Sequence, residues 1–521
     1  MGLVVLAVAA PLVAVLFQAI RLDGAFSADA LGRILGQGRT WRVVGLTVAQ
    51  AALSTLAALG VGLPVAYVLY RRDIPGGSVL RSVVTIPFVL PSVVVAAAFA
   101  TLLGPSGLLD LRGTWWAIIA AHVCFNLAVV VRITGTAIAM LDPGIEDTAR
   151  MGGLSPLAVK RRVVMPLISS SVWSASVIVF LFCLTSFGVI VILGGGWVTT
   201  IEVEMWTRAT RQFDLAGAAV LAGIQATTVF AVLVVARPGR SFGAAASSGG
   251  SRSRRRRPQG AAQWLGVAGT IAAVLVVSVL PLAALLERSL RVGGSFGFAN
   301  WTGLGSVVGG TSIAVDPIAA IGASLTAALP AAAIAVLVGV SAARSVALES
   351  AGVRSRLLLL PLAISATTIG LGLLLLNRYL PLDLRGSAWL VLAAQALVAL
   401  PLVVRAVAPA LGRLPREFRE VAALAGASPR RIWWGVELPL VRPSVVAAAG
   451  LALVAALGEF GATVFVARRS TPTVPVAIER LLSRPGQAGL GQAMALSVLL
   501  GVLCAVVLMV IDRFGDDGFV L

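Results

Sequence analysis

The chain has 521 residues, of which 58% are hydrophobic and 12% charged, and its formal net charge is +19 at pH 7. Such apolarity excludes an ordinary soluble domain, and the length allows about a dozen membrane spans of ~20 residues each. The basic excess sits mainly in short loops between apolar runs, which makes it a topology signal and excludes a nucleic-acid surface as its main meaning.

In the first half, apolar runs fall at about residues 3–20, 43–70, 80–103, 115–138, 168–193 and 215–236. The first lacks a positive n-region and a small-residue cleavage site, so it is expected as a retained span. Arg71, Arg72 and Arg81 mark one loop and Arg150, Lys160, Arg161 and Arg162 another. They share a side if the N-terminus is cytoplasmic, which predicts N- and C-termini on the cytoplasmic side. A linker at about 237–263, rich in Ala, Ser and Gly before Arg254–Arg257, reads as a flexible basic tether. Its arginines serve as a cytoplasmic anchor or meet anionic lipid headgroups. The second half repeats the plan at about 264–286, 317–341, 356–377, 387–409, 441–467 and 490–511. The expected fold is an all-α polytopic membrane protein of about 12 transmembrane helices in two tandem six-helix repeats, 1–236 and 264–521, related by a pseudo-two-fold axis.

Two loops carry the same pattern. Asp147-Thr148-Ala149, Gly153, Ser155-Pro156 and Pro166 recur as Glu420-Val421-Ala422, Gly426, Ser428-Pro429 and Pro439 at one constant offset, that from Gly153 to Gly426. A proline opens each stretch, Pro143 or Pro415, which suits the first turn of a helix. Ile145, Ala149 and Gly152 share a face in the first copy, as do Phe418, Val421, Ala422 and Ala425 in the second. Glu146, Asp147, Glu417 and Glu420 lie toward the helix N-terminus. The glycine ends the helix in a left-handed conformation, and Ser-Pro restarts it with serine as N-cap. Two helices meeting at a bend are expected at 142–166 and again at 415–439.

This spacing resembles the EAA loop of the permease subunits of ABC importers, although these copies read Asp-Thr-Ala and Glu-Val-Ala. The resemblance implies a coupling role for Asp147, Thr148, Ala149, Gly153 and Pro166, and for Glu420, Val421, Ala422, Gly426 and Pro439. It also implies a cytoplasmic ATPase dimer that holds ATP and Mg, and an extracytoplasmic solute-binding protein. No Gly-x4-Gly-Lys-Ser/Thr loop occurs in the chain. It is therefore expected to bind no cofactor of its own and to be a transport subunit, not an enzyme.

Polar residues within apolar runs are costly and are candidates for a translocation pathway. Gln50, His122, Asn126, Thr185, Ser186, Gln225, Gln395 and Glu459 are the main ones. The expected pathway set is Gln50, Asn126, Ser186, Phe187, Gly188, Glu459, Phe460 and Gly461, with Ser186-Phe187-Gly188 matching Glu459-Phe460-Gly461 at the same offset. Glu459 either lines the pathway or pairs with a neighbouring polar group. His122, the one histidine, reads as a hydrogen-bonded packing residue, and Cys124, Cys183 and Cys504 show no metal-ligand spacing. His122 with Phe125-Asn126, Gly194-Gly195-Gly196 and Thr199-Thr200-Ile201-Glu202 is similar to the thiamine and ferric-iron branch of fused ABC permeases. Leu457 to Thr463 and Thr473 to Ile478 also resemble molybdate and sulfate permeases. Thiamine or a derivative is the expected cargo, with ferric iron the alternative. An ion-coupled secondary transporter or a lipid-modifying membrane enzyme would need more intramembrane ionisable groups than Glu459 and His122.

Overall fold

The structure is a computed structural model that describes residues 2–22, 25–26, 29–105, 107–236, 255–306, 315–348, 364–379, 383–384, 386–468, 470–484 and 487–512. In the first half its helices are α1 (Gly2–Ala19), α2 (Asp29–Leu35), α3 (Gly38–Arg71), α4 (Gly77–Val89), α5 (Ser92–Leu102) and α6 (Trp115–Met140). They continue with α7 (Pro143–Met151), α8 (Pro156–Val159), α9 (Met165–Leu184), α10 (Gly188–Leu193), α11 (Ile201–Thr210) and α12 (Leu215–Ala236). The second half holds α13 (Ala261–Val274), α14 (Leu280–Ser289), α15 (Pro317–Leu348), α16 (Ala366–Leu376), α17 (Ala388–Gly412) and α18 (Arg416–Leu424). It ends with α19 (Pro429–Ile432), α20 (Leu438–Gly458), α21 (Thr463–Val466), α22 (Val474–Leu482) and α23 (Gln487–Asp512).

Among the described residues, nine helices are long and apolar enough to cross a membrane, or ten with the bent pair α4 and α5. The span expected at 80–103 is broken in the middle, its two halves meeting at 102°. The cause is local. Pro91 has no N–H to continue the helix, and the residue before a proline is pushed out of the helical region, as Leu90 is at φ −67°, ψ 144°. In the expected ninth span only the part from 364 onward is described, where α16 runs from Ala366 to Leu376.

The chain forms two compact units that do not follow chain order. Unit I is Gly38–Val203 with Thr227–Arg288, and unit II is Met1–Gln37, Glu204–Ala226 and Ser289–Leu521. In unit I, α3 packs along α6, both meet α9, and α13 lies against α3 and α4. Val65, Ala66, Leu69, Leu127, Ala128 and Val131 form its buried centre. The α3–α6 approach depends on Gly62, where a Cβ would stand 2.5 Å from Val130 Cγ1. In unit II, α15 packs along α17, α17 along α20, and α1 along α16. Gly339 repeats the close contact, a Cβ there falling 2.8 Å from Val403 Cβ, and Gly372 lets α16 approach the Pro11 carbonyl. Small residues at such crossings let helices gain dispersion contact where lipid offers no hydrophobic drive. Thus α13 belongs to unit I and α1 to unit II, so each sequence half gives its first helix to the unit built mainly from the other.

Candidate functional site

Each duplicated loop folds into a bent helical knob. Asp142 caps α7, its Oδ1 accepting the Gly144 N–H at 2.8 Å, and Pro143 takes the first helical position. In the second copy Pro415 is itself the cap residue rather than part of the first turn. Its φ −55°, ψ 135° is the extended geometry that a cap requires and proline permits. Gly153 has φ +82° and Gly426 φ +79°. The Gly153 N–H donates to Arg150 O at 2.9 Å and the Leu154 N–H to Ala149 O at 3.2 Å; Gly426 and Ala427 bond Ala423 and Ala422 in the same way. This is the Schellman arrangement, and it satisfies helix-end carbonyls. Ser155 Oγ then accepts the Ala158 N–H at 3.3 Å and Ser428 Oγ the Arg431 N–H at 3.4 Å, restarting the helix.

A π-helical turn follows in each copy, Lys160–Val164 and Trp433–Glu437, just before Pro166 and Pro439. Proline lacks an N–H and its ring crowds the carbonyl four residues back, so a widened turn relieves the misfit. The sequence reading missed these turns. The paired prolines were the signal that could have found them.

The knobs expose apolar side chains at matched positions. Ile145 and Met151 are 42% and 82% exposed, and their counterparts Phe418 and Leu424 are 48% and 89% exposed. Val421 is exposed as well, whereas Thr148 at its place folds its hydroxyl back to Gly144 O at 2.9 Å. Met151 and Leu424 were not on the apolar faces expected from sequence. A repeated exposed apolar patch is the signature of a docking surface.

The acid of the first copy, Asp147, is held by arginines. Asp147 receives both terminal nitrogens of Arg256, at 2.7 and 2.5 Å, and lies 3.6 Å from Arg150. The Asp73 N–H donates to Arg256 O and the Arg256 N–H to Arg71 O. The expected solvated tether is therefore fixed from 255 onward by this short bridge, while 237–254 lie outside the described residues. The Arg256 hydrogen bond and charge hold the Asp147 carboxyl below the usual carboxylate range. The pair therefore persists at neutral pH and is lost only as pH falls through that lowered value. Being exposed, it is also open to exchange with a partner's cation and to screening by salt.

The polar residues expected to line a pathway fall into two settings. In unit I, Gln50 Nε2 donates to His122 Nδ1 at 3.0 Å, and Ser54 Oγ lies 3.0 Å from the same nitrogen. With Nδ1 accepting, the ring carries its proton on Nε2 and donates to Ser186 Oγ at 2.9 Å. Asn126 bonds His122 O at 2.9 Å and reaches Cys183 Sγ at 3.5 Å. This cluster fastens α3 and α6 to the break between α9 and α10, where Phe187 caps α10 and Gly188 begins it. In unit II, Glu459 stands at the matching break between α20 and α21, 5% exposed. Its Oε1 and Oε2 accept the Ala462 and Thr463 N–H groups, each at 2.8 Å. Phe460 is buried, and a Cβ on Gly461 would lie 3.1 Å from Ala366 Cβ, so α16 sits close to this break. These contacts belong to neither reading open for Glu459 from sequence: the carboxylate caps its own chain. Thr200 and Glu202 are buried where α11 starts, the Ile201 N–H donating to Thr47 Oγ1 at 3.0 Å. Among the described residues no cluster of metal-ligating side chains is found.

The sequence matches the family described as "Binding-protein-dependent transport system inner membrane component" over residues 58–237 and 302–514. It is 25% identical over 492 residues to the thiamine transport system permease protein ThiP of Brucella suis biovar 1, covering 91% of this chain and 87% of that one. It is 33% identical over 258 residues to the putative 2-aminoethylphosphonate transport system permease protein PhnV of Salmonella paratyphi A, covering 47% of this chain and 93% of that one. Among solved structures, a bacterial ABC transporter involved in import of the acidic polysaccharide alginate aligns at TM-score 0.37 and 18% identity, covering 42% of this chain and 85% of that chain. The two matched segments make up most of the sequence, and each contains one of the bent knobs. The chain belongs to the family of binding-protein-dependent transport system inner membrane components.

Proposed function

We propose that this chain forms the translocation pathway of an ATP-driven importer and that its cargo is thiamine or a thiamine derivative. The observation that carries the transport reading is the duplicated knob, bent at Gly153 and Gly426 and exposing Ile145 and Met151 or Phe418 and Leu424. Each knob is joined directly to long apolar helices, α6 and α9 or α17 and α20, so a push on it reaches the membrane as one movement. The partners are a cytoplasmic ATPase dimer, which holds ATP and Mg, and an extracytoplasmic solute-binding protein; this chain itself catalyses no reaction. The reading places both termini in the cytoplasm of a bacterial cell and treats 1–236 and 264–521 as the two permease domains. Gln50, Asn126, Ser186–Gly188 and Glu459–Gly461 belong to the pathway.

The cargo rests on the ThiP relative, which aligns with 91% of the chain. The Salmonella relative, 33% identical over 258 residues, favours a small phosphonate as the second reading. Co-purification of the tagged chain from its native membrane tests both parts. An ATPase and a binding protein loaded with thiamine are expected. A binding protein loaded with a phosphonate or ferric iron would change the cargo and leave the importer intact; recovery of the chain alone, still moving solute, would contradict the importer.

A further inference from the structure

Behind each knob lies a buried polar junction that the family pattern does not name. In unit I, Glu146 of α7 is 5% exposed. Its carboxylate accepts from Arg71 Nε at 2.8 Å, from Tyr67 Oη at 2.9 Å and from Arg150 at 3.3 Å, while Arg71 Nη1 also reaches Leu141 O at 2.8 Å. Tyr67 and Arg71 belong to the last turn of α3. Lys160, in the π-turn, places its Nζ 4.6 Å from the centre of the Tyr67 ring.

In unit II the same places carry different residues. Arg419 occupies the position of Glu146, and Glu437 that of Val164, counted by the offset from Gly153 to Gly426. Arg344 on α15 lies as far beyond Gly339 as Tyr67 lies beyond Gly62, and each glycine marks the same close crossing. Glu437 is 1% exposed and accepts from Arg344 Nε at 2.7 Å and from Arg419 Nε at 2.5 Å. Arg344 also stacks over the Trp433 ring at 4.7 Å, and Trp433 is the counterpart of Lys160. The acid has moved from the knob helix to the π-turn, a base has taken its place, and cation and aromatic have changed sides. Residue identity is lost at all four positions, yet the junction between knob, π-turn and long helix is retained.

Compensated exchange of this kind points to the junction itself, not to any one residue. Stability alone would not require it. A buried ion pair is often no better than apolar residues of equal volume, and its best-attested use is to fix one geometry.

We infer that these junctions are ties that carry movement of the knobs into α3 and α15, with Arg71 and Glu146 the positioning residues in one unit and Arg344 and Glu437 in the other. The inference rests on the importer reading for what moves the knobs. The test is Arg71→Met/Glu146→Met, which removes both charges together and so avoids stranding one of them in a buried site. In vesicles containing the full complex, the double variant is expected to retain ATPase binding and hydrolysis while uptake per ATP hydrolysed falls roughly tenfold. A purely structural pair would leave that ratio unchanged. Hydrogen exchange over 143–151, measured on the chain alone, does not depend on what drives transport and is expected to rise about tenfold. Unchanged exchange overturns the tie, whatever the energy source. Raised exchange with unaltered uptake per ATP overturns its part in coupling. If wild-type uptake needs no ATP, the importer reading falls and the exchange result alone decides the tie.

Discussion

Replacing Gly153 and Gly426 together with valine is expected to abolish ATP-driven uptake while leaving the chain inserted in the membrane. Both residues hold φ near +80°, and no atom lies within 4 Å of a Cβ built at either, so space is not the obstacle. The obstacle is the backbone. A side chain in the left-handed region costs about 1–2 kcal/mol, more for a β-branched residue, and the helix can avoid this by straightening or by moving the bend. Either change rotates Met151 or Leu424 away from its present exposed position. Asparagine tolerates this conformation better than other side chains, so Gly153→Asn/Gly426→Asn is expected to retain an appreciable part of the uptake. Co-purification with the ATPase and uptake into vesicles check both variants, and full activity of the valine pair would remove the knobs from the coupling path.

Glu459→Ala is expected to have the second large effect. Glu459 accepts two backbone N–H groups within a buried break, and deletion leaves both without their partner at about 1–3 kcal/mol each. The turn from Glu459 to Ala462 would then lose the contacts that hold α21 against α16. Glu459→Gln keeps one oxygen for one of the two groups, so its effect should be intermediate. Ser186→Ala, at the matching break, leaves one N–H, that of His122 Nε2, without its acceptor and should cost about 1–3 kcal/mol, less than the two groups lost at Glu459. Thermal unfolding in detergent and uptake in vesicles should rank the variants in that order, with ATPase association preserved. Wild-type stability in Glu459→Ala would show that the carboxylate does not hold the break.

The features legible in the sequence are those set by a few neighbouring residues. Gly153 and Gly426 terminate helices because their own backbones require it, and Ser155 and Ser428 cap because the next residue is proline. Duplication made these signals readable, since neither copy matches the Glu-Ala-Ala pattern. Pro91 was equally local, but the apolar run at 80–103 concealed it: hydropathy responds to composition and not to a lost N–H. Glu459 was legible as an unusual acid, whereas its capping role depended on the turn that follows. The junctions at Glu146 and Glu437 were hidden for a different reason. Glu146 aligns with Arg419 in the repeat, and Val164 with Glu437, so a comparison by identity discards the positions where the chemistry has been exchanged. Nor does any local signal state that α1 packs on α16 and α13 on α3. Those helices are apolar, and for α1 it is Gly372 of α16 that leaves room for the Pro11 carbonyl.

The central claim is that this chain passes solute only when a separate ATPase drives its two knobs. The most direct measurement is uptake by vesicles holding the purified complex, with ATP or a non-hydrolysable analogue enclosed with the ATPase. Uptake with ATP alone, lost when the ATPase is omitted, is the predicted result. Equal uptake with the analogue, or by the chain without its ATPase under an imposed ion gradient, would contradict it.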